Sequence, residues 1–130
     1  MTTVDPETLF TGLENLKSAQ PVFRATGGAH AAALVQSGGA LIEVYEDIGR
    51  HNAIDKTIGA ALLSGRESFS DLVLLTTGRA AFETLQKAYM AGIGIVAAVG
   101  PASSLAVALG REANIAVVGF LKPDGFNRYQ

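Results

Sequence analysis

The chain contains a run of polar side chains that could bind an anion or transfer a proton. Residues 46–52, EDIGRHN, combine two carboxylates with an arginine, a histidine and an asparagine. The guanidinium of Arg50 offers forked N–H donors that match a phosphate. Glu46 and Asp47 would repel phosphate, but a carboxylate can accept hydrogen bonds from ribose hydroxyls or from the amino group of a base. The combination therefore suits a nucleotide-like ligand.

Three other segments carry glycine next to polar or basic side chains. Residues 26–30 read TGGAH, residues 76–79 read TTGR, and residues 100–104 read GPASS. The free N–H groups of a helix N-terminus attract anions, and serine hydroxyls can add to them. Arg79 provides a second forked donor. These segments extend the potential anion site beyond EDIGRHN.

The four segments have a common place in the predicted order of elements. In an open α/β sheet, ligands bind beyond the carboxyl ends of the strands. Residues 46–52, 76–79 and 100–104 each follow a predicted strand and precede a predicted helix. Residues 26–30 precede the first strand of a predicted hairpin, and the start of that strand lies beside the end of the second. All four are therefore expected at one edge of the sheet.

Each segment also has a purely structural interpretation. Asp47 could cap the next helix, and Gly49 could only allow a tight turn. The serines of residues 100–104 could likewise be helix caps. A spacing of four residues on a helix favours contacts between side chains. The pairs predicted on that basis are His51–Asp55, Asn52–Lys56 and Glu83–Lys87.

The periodicity of apolar residues predicts one α/β domain over residues 1–130. The sheet is expected to be mixed, because an N-terminal β-hairpin precedes a βαβαβ unit whose strands are parallel and covered on both faces. Helices are predicted at residues 5–19, 51–63, 81–92 and 103–113, and strands at residues 29–36, 40–46, 71–77, 93–99 and 115–121.

The composition excludes several classes of protein. The 130 residues are 48% apolar and 17% charged, which is typical of a folded domain rather than a disordered chain. A net charge of −2 argues against a diffuse nucleic-acid-binding surface. The absence of cysteine excludes disulfides, thiolate metal sites and a cysteine nucleophile within these residues.

No targeting or membrane segment is predicted. The first twenty residues carry Asp5, Glu7 and Glu14 and lack the basic start and apolar run of an export signal. Residues 88–110 carry no charge and are long enough to cross a bilayer, but Pro101 and four glycines interrupt them. We therefore interpret them as part of a soluble core and expect a cytoplasmic protein that binds no membrane.

Standard nucleotide and metal motifs are absent from the sequence. Residues 92–97 match the dinucleotide glycine pattern by letters, but they run from a helix into a strand, which is the reverse of the required order. No P-loop is present. His30 and His51 lack the spacing of metal ligands, so no metal site is predicted.

Five stretches nonetheless occur together, in this order, in one known family. They are FRATGGAHAAAL at 23–34, EDIGRHNAIDKTIG at 46–59, TGRAAFETLQKAYMAGI at 77–93, SSLAVALG at 103–110 and VGFLKPDGFNRY at 118–129. On these stretches, which cover nearly the whole chain, the sequence resembles the C-terminal domain of the formate dehydrogenase accessory sulfurtransferases, FdhD. EDIGRHNAIDK is highly specific among them.

The resemblance implies a cytidine-deaminase-like fold, which is a three-layer α/β/α sandwich with a mixed sheet. Family members take persulfide sulfur from a cysteine desulfurase. They pass it to the molybdenum or tungsten bis(pterin guanine dinucleotide) cofactor before that cofactor enters formate dehydrogenase. The matching domain would supply much of the pocket for the guanosine diphosphate part of this molybdopterin guanine dinucleotide cofactor, with GDP as a mimic, and would support a homodimer.

The pocket residues that the resemblance implies are polar, charged or glycine side chains of the four segments and the helices that follow them. They are Thr26, Gly27, Gly28, His30, Glu46, Asp47, Gly49, Arg50, His51, Asn52, Asp55, Lys56, Gly78, Arg79, Ser103 and Ser104.

The chain departs from the family in the residues that carry sulfur. The family has a CxxC loop upstream of this domain and an N-terminal domain, and neither occurs in these 130 residues. Ala81 also stands where the family tends to have a hydroxyl. Without a thiol no persulfide can form here. The resemblance therefore implies cofactor binding without catalytic residues, and sulfur transfer only beside a chain that carries the CxxC loop.

Two other functions stay open from the sequence. The chain could be an interaction module for formate dehydrogenase or a cysteine desulfurase that takes no small ligand. It could also be a small nucleotide-acting enzyme that uses His30 or His51 as acid or base with Glu46 or Asp47. The missing zinc motif weighs against hydrolytic deamination.

Overall fold

A computed structural model describes residues 3–20 and 27–129 of the chain. Four helices and six strands occur in these residues. The helices are α1 (Pro6–Ser18), α2 (Arg50–Leu63), α3 (Phe82–Ala91) and α4 (Ser104–Ala113), and the strands are β1 (His30–Val35), β2 (Leu41–Asp47), β3 (Val73–Thr76), β4 (Ile95–Ala98), β5 (Ala116–Lys122) and β6 (Gly125–Tyr129).

The six strands form one mixed sheet in the order β2-β1-β3-β4-β5-β6. Strands β3, β4 and β5 run parallel to one another, as the βαβαβ prediction requires. Strand β1 is antiparallel to both β2 and β3, which confirms the N-terminal hairpin and the mixed sheet. Strand β6, antiparallel to β5, was not predicted from the sequence.

Alternating residues of the strands divide the core between the two faces of the sheet. In β1, Ala31 and Ala33 pack with Leu9, Leu13 and Leu16 of α1. The intervening positions of β1 contribute to a second buried cluster with α2, α3 and α4. This alternation is the two-residue period of a strand covered on both faces. The three-layer α/β/α architecture is thereby confirmed.

Local signals in the sequence set the ends of several helices. The Asp5 carboxylate accepts hydrogen bonds from the backbone N–H of Glu7 at 3.3 Å and from the Thr8 hydroxyl at 2.8 Å, and Pro6 is the first residue of α1. Helix α3 ends at Gly92, whose φ of +81° is the left-handed conformation expected of a helix-terminating glycine. The predicted boundaries lie within a few residues of those observed.

The uncharged stretch at residues 88–110 divides between the end of α3, strand β4 and most of α4, as predicted. None of the helices in the described ranges has the length and apolar character needed to cross a membrane.

Candidate functional site

The strand register brings the polar segments together at one edge of the sheet, as predicted. His30 pairs with Asp47 across β1 and β2, while Ala32 pairs with Thr76 of β3, which in turn pairs with Ala98 of β4. The amino end of β1 therefore lies beside the carboxyl ends of its neighbours. We call this edge the rim, and it consists of residues 27–30, 46–52, 77–80 and 99–104.

Backbone hydrogen bonds join the turns of the rim into one unit. The N–H of Gly100 donates to the carbonyl of Gly78 at 3.0 Å. The N–H of Ala80 donates to the Pro101 carbonyl, and the N–H of Ser103 donates to the Ala80 carbonyl, both at 3.0 Å. A side chain on Gly100 would leave its Cβ 3.0 Å from the Gly78 oxygen, so this close approach favours glycine.

Arg50, the first residue of α2, lies across the turn that follows β3. A Cβ added to Gly78 would lie 3.0 Å from Cδ of Arg50, which shows that the arginine stem packs directly on the Gly78 backbone. The Nε of Arg50 is buried and has no hydrogen-bond partner among the described residues. The same holds for Nδ1 of the adjacent His51. Buried polar atoms without partners are costly, so the contacts of the described residues leave these two atoms unexplained and mark this part of the rim as a candidate ligand site.

Asp47 has a structural task at the rim. Its carboxylate accepts a hydrogen bond from the Gly49 N–H at 2.9 Å and an ion-pair contact from Nζ of Lys56 at 2.6 Å. The Lys56 hydrogen bond and the Gly49 N–H together lower the pKa of Asp47 from 3.8 to about 2. The N-cap of α2 is Gly49, which makes no side-chain hydrogen bond. The interpretation of Asp47 as the helix cap was therefore wrong, because the helix begins two residues later.

The side-chain pairs predicted within helices from four-residue spacing were wrong for both lysines, which instead contact residues of neighbouring elements. Lys56 binds Asp47 of β2, and Lys87 of α3 donates to Asp55 of α2 at 2.5 Å rather than to Glu83. Asp55 therefore lies at the contact between two helices. Neighbouring elements offer partners that an isolated helix lacks, which explains the difference.

The N-terminus of α4 opens onto the rim next to Arg79. Ser103 caps this helix, because its hydroxyl accepts from the Ala106 N–H at 3.1 Å, as its structural interpretation predicted. Ser104 and Arg79 are exposed. Arg50, Arg79 and the α4 terminus thus surround the turns at Gly78 and Gly100, which is an arrangement that suits a phosphate-bearing ligand.

The start of β1 borders a groove on the α1 side of the rim. This groove has a volume of about 490 Å³ and is mostly apolar, and its walls include Gly27, Gly28, His30 and Thr77. The Thr77 hydroxyl accepts from the Ala31 N–H at 2.9 Å, which fixes the turn after β3 to β1. Thr26 lies outside the described residues.

The remaining predicted residues also lie in or beside these turns. Glu46 stands opposite Ala31 in the register, and Asn52 is exposed in the first turn of α2. Asn52 also packs against Gly49, because a Cβ on that glycine would lie 3.3 Å from Nδ2 of Asn52. All of the described site residues therefore lie at the rim, except Asp55 and Lys56, which lie further along α2.

The sequence interpretation missed Phe120. The run IAVVGFL predicts a buried strand, but the Phe120 side chain is 48% exposed and its φ is +52°. Its N–H donates to the Gly100 carbonyl at 3.0 Å, which places it next to the rim. The glycine before it is the one local signal of an irregular strand.

Comparisons with known proteins agree with the fold and identify the family. The sequence model of the FdhD/NarQ family matches residues 1–130. The sulfur carrier protein FdhD of Streptomyces avermitilis is 51% identical over 126 residues, which are 97% of this chain and 45% of that protein. Its Mycobacterium tuberculosis counterpart is 51% identical over 127 residues, which are 98% of this chain and 46% of that protein.

A solved structure from Desulfotalea psychrophila, described as a formate dehydrogenase accessory protein, superposes with a TM-score of 0.87 at 27% identity. The match covers 96% of this chain and 53% of that one. The chain thus spans about half the length of the relatives it matches. With a family match over all 130 residues and a fold shared with an accessory protein of formate dehydrogenase, the chain belongs to the FdhD/NarQ family.

Proposed function

We propose that the rim binds the guanosine diphosphate part of a molybdenum or tungsten bis(pterin guanine dinucleotide) cofactor. In this way the chain supports sulfuration of the cofactor before its insertion into formate dehydrogenase. The observation that carries the proposal is the buried, unpartnered Nε of Arg50 above Gly78, beside Arg79 and the N-terminus of α4. The names of the relatives, sulfur carrier and formate dehydrogenase accessory protein, are consistent with it.

The charges of the rim fit a diphosphate. Arg50 and Arg79 each present guanidinium donors, and α4 adds backbone N–H groups at its N-terminus. The carboxylate of Asp47 would repel a phosphate, but it is already paired with Lys56 and with the Gly49 N–H. Lys56 therefore offsets the negative charge of Asp47, and Arg50 and Arg79 add two positive charges to the rim.

The sulfur-carrying step requires a residue type that these 130 residues lack. A persulfide forms on a cysteine, and the chain has none. In the proposed function, this chain therefore binds the cofactor and does not itself carry the sulfur. The sulfur comes from a cysteine desulfurase through a CxxC loop on another segment or chain, in the cytoplasm.

Isothermal titration calorimetry with GDP tests the proposal. We expect the wild-type chain to bind GDP, and Arg50→Ala and Arg79→Ala each to weaken binding about 10- to 100-fold, which corresponds to the loss of about 1.5–3 kcal/mol for a hydrogen bond to a charged group. Arg111→Ala is the matched control, because Arg111 lies in the last turn of α4, away from the rim.

Titrations with guanosine and with inorganic pyrophosphate measure the contributions of the two halves of the ligand separately. If the arginines recognise the diphosphate, Arg50→Ala should weaken pyrophosphate binding as much as GDP binding and should leave guanosine binding unchanged. Absence of GDP binding by the wild type, or unchanged binding in both arginine variants, would contradict the proposed function.

A further inference from the structure

The groove on the α1 side of the rim lies between the end of helix α1 and the turns that follow β3 and β4. Its walls include Leu13 and Gln20 from the α1 side, residues 27–30 at the start of β1, and Thr77 and Val99. Its volume of about 490 Å³ falls within the range of small-molecule sites, and most of its lining is apolar. The groove therefore has the size and character of a site for a ring system with apolar faces.

Gln20 is the most deeply buried polar side chain among the described walls of this groove. It is 4% exposed, whereas Lys17 is exposed and His30 and Thr77 are half-buried. The Thr77 hydroxyl is engaged with Ala31, because it accepts from the N–H at 2.9 Å and donates to the carbonyl at 3.4 Å. The Gln20 amide makes no hydrogen bond with a described residue. A buried amide without such partners is costly, so it requires an explanation.

The Gln20 amide retains access to the groove. Among the described residues, the polar atoms that are fully buried without a partner are Arg50 Nε and His51 Nδ1, and no atom of Gln20 is among them. The amide therefore keeps a small accessible surface, and the groove is the space that Gln20 borders. A ligand that fills the groove displaces water from this amide and must replace its hydrogen bonds.

This requirement selects the chemistry of the ligand. A carboxamide presents an acceptor oxygen and a donor NH₂ group side by side. A ring with an oxo group next to an N–H group matches both and forms two hydrogen bonds with the amide, much as glutamine pairs with a base edge in DNA. Guanine and pterin share such an edge, because both contain a 2-amino-4-oxopyrimidine ring. A hydrocarbon ring would leave the Gln20 amide unpaired and would be rejected.

We infer that this groove binds the 2-amino-4-oxopyrimidine ring of guanine or pterin, and that the Gln20 amide is the contact that determines its specificity. The inference rests on the proposed function and adds where that ligand places a heterocycle. Residues 27–30, Thr77 and Val99 belong both to the groove and to the rim, so the two are continuous. A ligand whose diphosphate lies at the arginines of the rim can therefore extend a heterocycle into the groove, where apolar walls contact the ring faces.

Calorimetry with Gln20→Leu tests the contact. Leucine has a similar size and removes a buried amide, so the variant should fold at least as readily as the wild type. We expect the variant to bind guanosine or 6-hydroxymethylpterin, whichever ring occupies the groove, about 5- to 150-fold more weakly. Pyrophosphate should bind with wild-type affinity. Gln36→Leu is the matched control and should leave all three affinities unchanged, because Gln36 is exposed in the hairpin turn at the opposite edge of the sheet.

Methylated ligands show whether the amide itself makes the contact. A methyl group on the ring N–H, as in 1-methylguanosine or 3-methylpterin, blocks the edge that would face Gln20 and keeps the ring system. Methylation should weaken binding to the wild type about 5- to 150-fold and should have little further effect on binding to Gln20→Leu. If Gln20 only shaped the groove, the loss on methylation would be equal in both proteins, which would overturn the inference.

The outcomes separate this inference from the proposed function. GDP binding that is lost in Arg50→Ala, with guanosine and the pterin both unaffected by Gln20→Leu, would overturn the groove assignment alone. A loss for guanosine in Gln20→Leu assigns the base to the groove, and a loss for the pterin assigns the pterin end of the cofactor to it. A wild-type chain that binds neither GDP nor the pterin would overturn both proposals.

Discussion

At the scale of single residues, Asp47 shows how a charged side chain of the site can serve the fold. Its carboxylate closes the turn before α2 through the Gly49 N–H and contacts Lys56, and its pKa is lowered from 3.8 to about 2. A carboxyl whose pKa is lower in the folded state stabilises the fold while it is ionised. That contribution is complete above about pH 4 and is lost as the pH falls towards 2.

Asp47→Asn should therefore change the acid response of the protein. The amide can still accept from Gly49, but it cannot titrate or form the ion pair with Lys56. We expect the free energy of unfolding of the wild type to fall more steeply between pH 5 and pH 2 than that of the variant, as measured by urea denaturation at each pH. Asp124→Asn, in the exposed turn before β6, is the control and should keep the wild-type slope.

The residues of the site were largely predictable, whereas their partners were not. The positions of Arg50, Arg79 and Ser103 follow from the rule that ligands bind beyond strand ends, and the rule needs only the order of elements. The partners of Lys56 and Lys87 come from β2 and α2, and no local spacing contains that information. Long-range pairing depends on packing angles that a one-dimensional pattern does not specify.

At the scale of elements, glycines in two helices differ in whether the surrounding packing leaves room for a side chain. Gly110 in α4 packs against β5, and a Cβ there would lie 2.6 Å from Cγ2 of Val117 and 2.9 Å from the Ile115 oxygen. Gly59 in α2 has no atom within 4 Å of the same position. The first glycine permits close contact between helix and sheet, whereas the second only lowers the helix propensity.

Alanine at these two positions should have opposite effects on stability. We expect Gly110→Ala to lower the free energy of unfolding by about 1–3 kcal/mol through overpacking. Gly59→Ala should raise it by about 0.5–1 kcal/mol, because alanine favours the helix and restricts the unfolded chain. Chemical denaturation of both variants measures the difference, and a stabilised Gly110→Ala would contradict the packing of α4 on β5.

Strand β6 and the irregularity of β5 at Phe120 were the features that the sequence did not predict. Residues 122–129 read KPDGFNRY, which combines charges, proline and glycine in the manner of a loop. The strand forms because β5 offers a free edge at the end of the sheet, and edge strands tolerate polar side chains. An apolar run such as IAVVGFL carries no signal of which residue such an irregularity exposes.

At the scale of the whole molecule, a group of exposed apolar residues lies near the C-terminal ends of α2 and α3, away from the rim. Leu62 and Met90 are 57% and 83% exposed, and they border a groove of about 530 Å³ between α2 and α3 together with Ile58 and Ala91. Leu63, at the last position of α2, is 91% exposed. These helices begin at the rim, so their C-terminal halves lie towards the opposite edge of the sheet. We propose that two copies of the chain associate through this face, because such a contact would leave the rim open.

The double variant Leu63→Glu/Met90→Glu should abolish self-association. A two-fold interface presents each substitution twice, so like charges would meet across it. Light scattering after size exclusion should give a monomer for the variant and a dimer for the wild type, with GDP affinity unchanged. Leu105→Glu, an apolar residue of α4 that is 65% exposed and outside the groove, is the control. A dimer that survives the double variant would place the interface elsewhere.

The hydrogen bonds that link Gly78, Gly100 and Phe120 make the rim a pre-organised surface. A ligand that enters it orders little additional chain, so the binding equilibrium should lose little conformational entropy. Affinity for GDP, and its change on substitution, then reports contacts between ligand and side chains more directly than it would for a site built on a mobile loop. Under the proposed function, the same hydrogen bonds would let the rim accept a cofactor and release it without refolding of the turns.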